Sequence, residues 1–151
     1  MSTPISRLHL CLLLTFTALA LLVATGSAAA ATTLGQNCTS TTGGPETAFQ
    51  KSISGGASYT APTDGVITHW GVNKVGTGND SNSALIVGSE TSPGTWTVRA
   101  MSPLVITTEF AITEQDVRIG IKAGEGIGFS NFNSGGALCS TPSASDTMVY
   151  S

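Results

Sequence analysis

Basic residues are few and scattered in this sequence. Of six, Arg7 lies near the start and Lys51, Lys74, Arg99, Arg118 and Lys122 each stand alone, so the positive patch that nucleic acid requires is missing. Histidine is scarcer still, and past His9 the only one is His69. Cys38, Cys139 and His69 fall short of the four nitrogen or sulfur ligands of a structural zinc site. Helical periodicity is lacking as well. No window of helical length carries apolar residues at three-and-four spacing without a glycine or a β-branched run breaking it. The nearest approach, "TTEFAITEQDV", alternates Phe110 and Ile112 with Ala111 and Thr113 and reads as strand followed by turn. These absences argue against a nucleic-acid partner, a zinc domain and a helical bundle.

One long apolar run is present, at the front. "MSTPISRLHLCLLLTFTALALLVATGSAAAA" has Arg7, then apolar residues from Leu8 to Ala24, then small residues, which is the three-part layout of a secretory signal peptide. Ala28, Ala29 and Ala30 suit a cut before Ala31, and a shift by one gives a cut before Thr32. The competing reading is an uncleaved anchor, although the run is short of the roughly 20 apolar residues that span a bilayer. Cys11 sits mid-run, away from any lipid-attachment position, and a lone Arg7 argues against twin-arginine export. The expected organisation is a signal peptide over 1–31, a polar lead-in over 32–46 and one domain over 47–151, secreted or at the cell surface with no lasting membrane insertion.

Without the leader the chain is acidic, with five basic against nine acidic residues. Its two cysteines, Cys38 and Cys139, lie near the two ends of the domain. In an oxidising compartment they read as one disulfide, with a pair of buried thiols as the alternative.

From Thr47 onward the pattern has period two. "DVRIGIK" sets Val117, Ile119 and Ile121 against Arg118, Gly120 and Lys122; "VITHWGV" sets Val66, Thr68, Trp70 and Val72 against Ile67, His69 and Gly71; "TWTVRA" sets Trp96, Val98 and Ala100 against Thr95, Thr97 and Arg99. Between such runs lie "SGGAS", "APTDG", "GTGNDSNS", "TSPG" and "NSGGA", whose residues accept turn dihedrals or bond their own backbone. Turns recur about every eight to twelve residues, as in an antiparallel sandwich or barrel. "IKAGEGIGFSNF" carries Gly124, Gly126 and Gly128 but leads into no helix, so it is no dinucleotide loop. It reads as strand, turn at Ala123 and Gly124, and returning strand, with small residues marking a bulge or a close backbone approach. No cofactor is expected.

The combination "YTAPTDGVITHWGVNKV", "ALIVG", "VRIGIKAGEGIGFSN" and a late cysteine resembles the uncharacterised exported β-sandwich proteins common in actinobacteria. There a "sGvItsW" strand precedes an "L.V" strand and a "rI.V.aGd.IGl" hairpin. The likeness spans Tyr59 to Cys139, with Glu125 where the group tends to have Asp. It implies a jelly-roll-like fold and says nothing of chemistry. The fold class expected is therefore an all-β antiparallel sandwich, jelly-roll-like. Because "DTMVYS" stops within an apolar run, a missing C-terminal portion is also expected.

Several residues invite a functional role. His69 is the candidate general base, yet mid-strand beside Trp70 it reads as a solvent-facing histidine with no placed triad. Glu109, Glu114, Asp116 and Glu125 could supply the paired carboxylates of a glycoside hydrolase, or be solvated surface. "GNDSN" could hold calcium through Asp80 with Asn79 or Asn82, though the same residues suit a turn. Trp70 shares a face with valines and is assigned to the core. Trp96, beside "SPG", reads either as core or as an open ring, and in the second case it is the leading candidate for sugar stacking, with Tyr59 and Tyr150 as further aromatics on a concave face. The function expected is non-catalytic interaction with an extracellular glycan or cell-surface component. A purely structural envelope or matrix domain is the alternative, and a secreted glycoside hydrolase is third.

Overall fold

The computed structural model describes residues 30–36, 46–52, 58–74, 80–108, 111–132 and 147–150. Contacts divide the chain into residues 1–32 and 33–151, and the fold is that of the second unit. Residues 1–29 of the expected 1–31 leader, and both Cys38 and Cys139, lie outside the described residues.

The alternating runs become strands: β1 (Glu46–Ser52), β2 (Gly65–Lys74), β3 (Ser81–Ser92), β4 (Thr95–Met101), β5 (Val105–Thr107), β6 (Ala111–Ile121), β7 (Gly126–Asn131) and β8 (Thr147–Tyr150). All pairings are antiparallel. The larger sheet runs β4-β3-β7-β1-β8, with β5 beside the first part of β3, and the smaller one is the ribbon β2-β6. The molecule is an antiparallel β-sandwich. Apolar side chains from both sheets meet between them: Ala48, Leu85, Val87 and Phe129 from the larger, Trp70, Val72, Ile119 and Ile121 from the ribbon.

Trp70 is in the core as its alternation requires, its indole N–H donating to Gln115 Oε1 at 3.3 Å and its ring edge-on to Phe129. The lower half of β2 departs from simple alternation. The β2-β6 register shifts between Ile67 and His69, and the inward face shifts with it. Ile67 packs against the core while Val66 is exposed, the reverse of the expected assignment. A bulge adds one residue to one side of a ladder and so changes the phase of everything beyond it.

"KAGEG" is a corner, not a hairpin, because β6 pairs with β2 while β7 pairs with β1 and β3. Gly124 makes the turn at φ 84°, in the left-handed region that suits glycine. Asp64, from "APTDG", accepts from Ala123 N at 2.9 Å and from Lys122 Nζ at 3.1 Å, which ties the corner to the start of β2.

The next two glycines serve close approach. A Cβ on Gly128 would strike the Ala48 carbonyl oxygen and crowd Ile86 and Phe49. One on Gly126 would lie 2.7 Å from the Trp96 ring. With Gly88, these bare positions form a floor on the sheet face turned away from the ribbon, and Phe49 lies over it stacked on Trp96, ring centroids 4.3 Å apart. The same face carries Val98 opposite Gly88, Met101 opposite Ile86 and Ile106 opposite Asn82, with Phe132 bonded to Asn82 from the other side. All four of these apolar side chains are exposed.

Candidate functional site

The lead-in is more than a tether. Gly35 N donates to Ser58 O at 2.7 Å, Gly35 packs under the Tyr59 ring, and Leu34 joins the core. Within the polar lead-in, Thr33 to Gln36 wall one side of a cavity.

That cavity, of about 270 Å³, lies between the sheets. Tyr59, Trp70, Val72, Leu85, Ile127 and Phe129 give it apolar walls, and Gln50 adds a buried amide. Its lining also includes Gly71, Asn73, Ile112 and Glu114. Gly71 and Asn73 alternate with the inward Trp70 and Val72, so the space reaches both faces of β2 and passes round that strand's edge. Glu114 is the only charged residue among the described lining.

Cross-strand register builds a polar group on the ribbon's outer face that spacing alone could not reveal. His69 stands opposite Asp116 and Gly71 opposite Glu114. His69 Nδ1 lies 2.9 Å from Asp116 Oδ1, and Nε2 lies 3.9 Å from Glu114 Oε1. The Asp116 hydrogen bond, aided by both negative charges, holds the imidazolium above the ordinary histidine range. Glu114 and Asp116 sit mid-strand, because "AITEQDV" runs on as one strand where the sequence reads as strand followed by turn.

Glu125, unlike those two, is not solvated surface, since its side chain is 7% exposed. Arg99 Nε donates to Oε1 and Nη2 to Oε2, the latter at 2.6 Å, while Lys122 N donates to Oε2 at 2.7 Å. Arg99 also donates to the Gly120 carbonyl. The Arg99 hydrogen bonds hold the carboxyl below the ordinary glutamate range. This fork joins β4 to the β6-β7 corner and is spent on structure.

A second buried polar group gathers Lys74, Ser81, Ser83 and Thr107. Lys74 Nζ donates to Ser81 Oγ at 3.1 Å, and Ser81 and Ser83 bond Thr107 Oγ1 at 2.8 and 2.9 Å. A lysine beside a serine can activate a nucleophile. Here each of the four is at most 1% exposed, which denies a substrate access.

Of the candidate aromatics, Tyr59 and Trp96 lie on different faces of the larger sheet. Tyr59 is buried and lines the cavity. Trp96 is on the other side of the larger sheet, half-buried against Phe49 and Gly126, which fits its packed reading and not that of an open ring beside "SPG". The Pro93–Gly94 turn is tight, with Gly94 at φ 79°, and Trp96 turns back over the sheet directly after it. Tyr150 falls opposite Ala48 in β8, and its side chain lies outside the description. Asp80 is exposed and Asn82 is paired with Ile106 in β3; Asn79 and Glu109 lie outside the described residues. Among the described residues no group of three His, Cys, Asp or Glu is placed to hold a metal ion. The cavity was missed in the sequence because its walls come from the lead-in, both sheets and the segment before β2; only Trp70's inward alternation pointed there.

Comparison with protein-family models, with curated proteins and with solved structures finds no match to this chain.

Proposed function

We propose that this is an exported, non-catalytic binding domain that takes a small extracellular ligand, of the size of one sugar ring, in the cleft between its sheets. The observation that carries the reading is the cleft itself: apolar and aromatic walls from Tyr59, Trp70 and Phe129 with Gln50, Asn73 and Glu114 interspersed. That mixture is the usual make-up of a small-molecule site. Its volume, about 270 Å³, is just below the usual range of about 300–1,000 Å³ and suits one ring better than a chain. Export is supported by the leader-like residues 1–31 and by the resemblance of Tyr59 to Cys139 to exported sandwiches. The non-catalytic reading is supported by the cleft's single described carboxylate, where glycoside hydrolysis uses two.

The test is a titration followed by amide chemical shifts, using a panel of monosaccharides and the variant Ile112→Trp, which adds bulk at an exposed lining position. Shifts at Tyr59, Trp70 and Gln50 that saturate in the wild type and vanish in the variant support the cleft. The runner-up, a structural domain without a ligand site, is favoured by the exposed apolar residues Val98, Met101, Ile106 and Phe132 on the opposite face. No binding across the panel, together with self-association, would put that reading first.

A further inference from the structure

The cleft's charge is one-sided. Glu114 is the acid in its described lining, and no lysine or arginine is among the described lining residues to answer an anion. A carboxylate, sulfate or phosphate on a ligand would meet repulsion from Glu114, with only the neutral amides of Gln50 and Asn73 to offset it. Three aromatic residues, Tyr59, Trp70 and Phe129, line the same space, and the faces of such rings attract a cation within about 6 Å.

Glu114 is also positioned rather than loose. Opposite it stands Gly71, and a Cβ there would lie 3.3 Å from Glu114 Cγ, so the glutamate stem rests across a bare stretch of β2. Its neighbour His69 is engaged first by Asp116 at 2.9 Å, and the 3.9 Å separation from Glu114 is too long for a hydrogen bond. The Glu114 side chain is 65% exposed, which leaves its carboxylate accessible beside the cleft.

From this geometry we infer that the ligand is a cation, a sugar-sized body bearing a protonated amine, of which an amino sugar is the chemical class, seated where the cleft rounds the edge of β2, with Glu114 on the outer side pairing the ammonium and the aromatic walls on the inner side taking the ring. The inference rests on the cleft being the binding site. It assigns two groups not otherwise given a role: Glu114 as the selecting charge, and Gly71 as the residue whose missing side chain lets Glu114 lie where it does.

The experiment compares glucosamine, N-acetylglucosamine, glucose and glucuronate at pH 7 by the same chemical-shift titration, with wild type, Glu114→Gln and Ile112→Trp. Glucosamine is expected to bind about tenfold more tightly than its neutral analogues, and glucuronate not at all. Glu114→Gln should remove that preference while the thermal melt stays unchanged, since the side chain is solvated. Raising salt should narrow the preference in the wild type, because the pair is exposed. If the neutral sugars bind as well as glucosamine and Glu114→Gln changes nothing, while Ile112→Trp still abolishes binding, the amine proposal is overturned and the cleft stands. If no sugar binds, the cleft reading falls and takes this one with it.

Discussion

Gly124, Gly126 and Gly128 occur within five residues, and the structure gives each a different reason to lack a side chain, so alanine at each should fail differently. At Gly124 a Cβ meets nothing, and the obstacle is the φ of 84° alone. An L-residue there costs about 1–2 kcal/mol, and asparagine, which tolerates the left-handed region, should cost less than alanine. At Gly126 the obstacle is the far end of the Trp96 ring, 2.7 Å away, which can swing aside. The loss is then the Trp96–Phe49 stack, about 0.5–1.5 kcal/mol. Part of it is offset, because Trp96 Nε1 is buried without an acceptor among the described residues and regains water on leaving. At Gly128 the obstacle is the Ala48 carbonyl across the β1-β7 ladder, with Ile86 Cγ1 and Phe49 Cδ1 each 3.0 Å away. Backbone cannot swing, so the cost should reach about 3 kcal/mol or more, the upper end for overpacking. Urea denaturation of the three alanine variants should therefore rank Gly128 well above the others. Tryptophan fluorescence should red-shift for Gly126→Ala alone. The decisive measurement is a double-mutant cycle with Trp96→Leu. If Gly126→Ala costs as much in that background as in the wild type, the ring is not what excludes a side chain, and the reasoning is refuted.

The ionisable groups make predictions of opposite sign. His69 is raised by Asp116, so its contribution to stability is full below the ordinary histidine range and fades as pH rises through the folded value. Its NMR titration midpoint should be elevated and return toward normal in Asp116→Asn, with the difference shrinking in salt because the pair is exposed. Glu125 is lowered by Arg99, so its contribution is present above the ordinary glutamate range and is lost as pH falls through the folded value. Glu125→Gln should cost about 2 kcal/mol at neutral pH and flatten the acid limb of the stability profile; a profile unchanged by the substitution would refute the structural role. Cys38 and Cys139 are expected to be bonded, closing a loop of about 100 residues and contributing about 4–5 kcal/mol in the chain-entropy account; two free thiols under denaturing, non-reducing conditions would contradict this. N-terminal sequencing of exported material should begin at Ala31 or Thr32, whereas an intact Met1 in the membrane fraction would favour the anchor.

The sequence disclosed the local rules well. Alternation in "VRIGI" and "WGV" identified strands and put Trp70 inside, and the small residues of "GEGIGF" foretold close backbone approach. What stayed hidden depends on which strand meets which. Nothing in "KAGEG" says that its two flanks belong to different sheets, or that Glu125 will meet Arg99 from the far end of β4. Ile67 and Val66 exchanged faces because of a bulge that only the partner strand defines. Lys74, one of the scattered basic residues, is enclosed with three hydroxyl residues that its own stretch of sequence does not identify. The cleft, too, has walls from segments distant in the chain, so no single window could contain it.

The order of strands in the larger sheet constrains when the molecule can exist at all. β1 opens the domain, yet its neighbour β7 arrives near the end; Thr47 and Ser130, bonded side chain to side chain, are 83 residues apart. The ribbon closes over a separation of 47 residues between His69 and Asp116. Such pairings must meet the entropy of closing long loops before contact rewards them, which slows folding into the millisecond-to-second regime. A chain emerging from the ribosome at about 5–20 residues per second would spend seconds with β1 made and β7 not yet synthesised. During that interval β1 waits without β7 beside it, and the larger sheet cannot close around its centre.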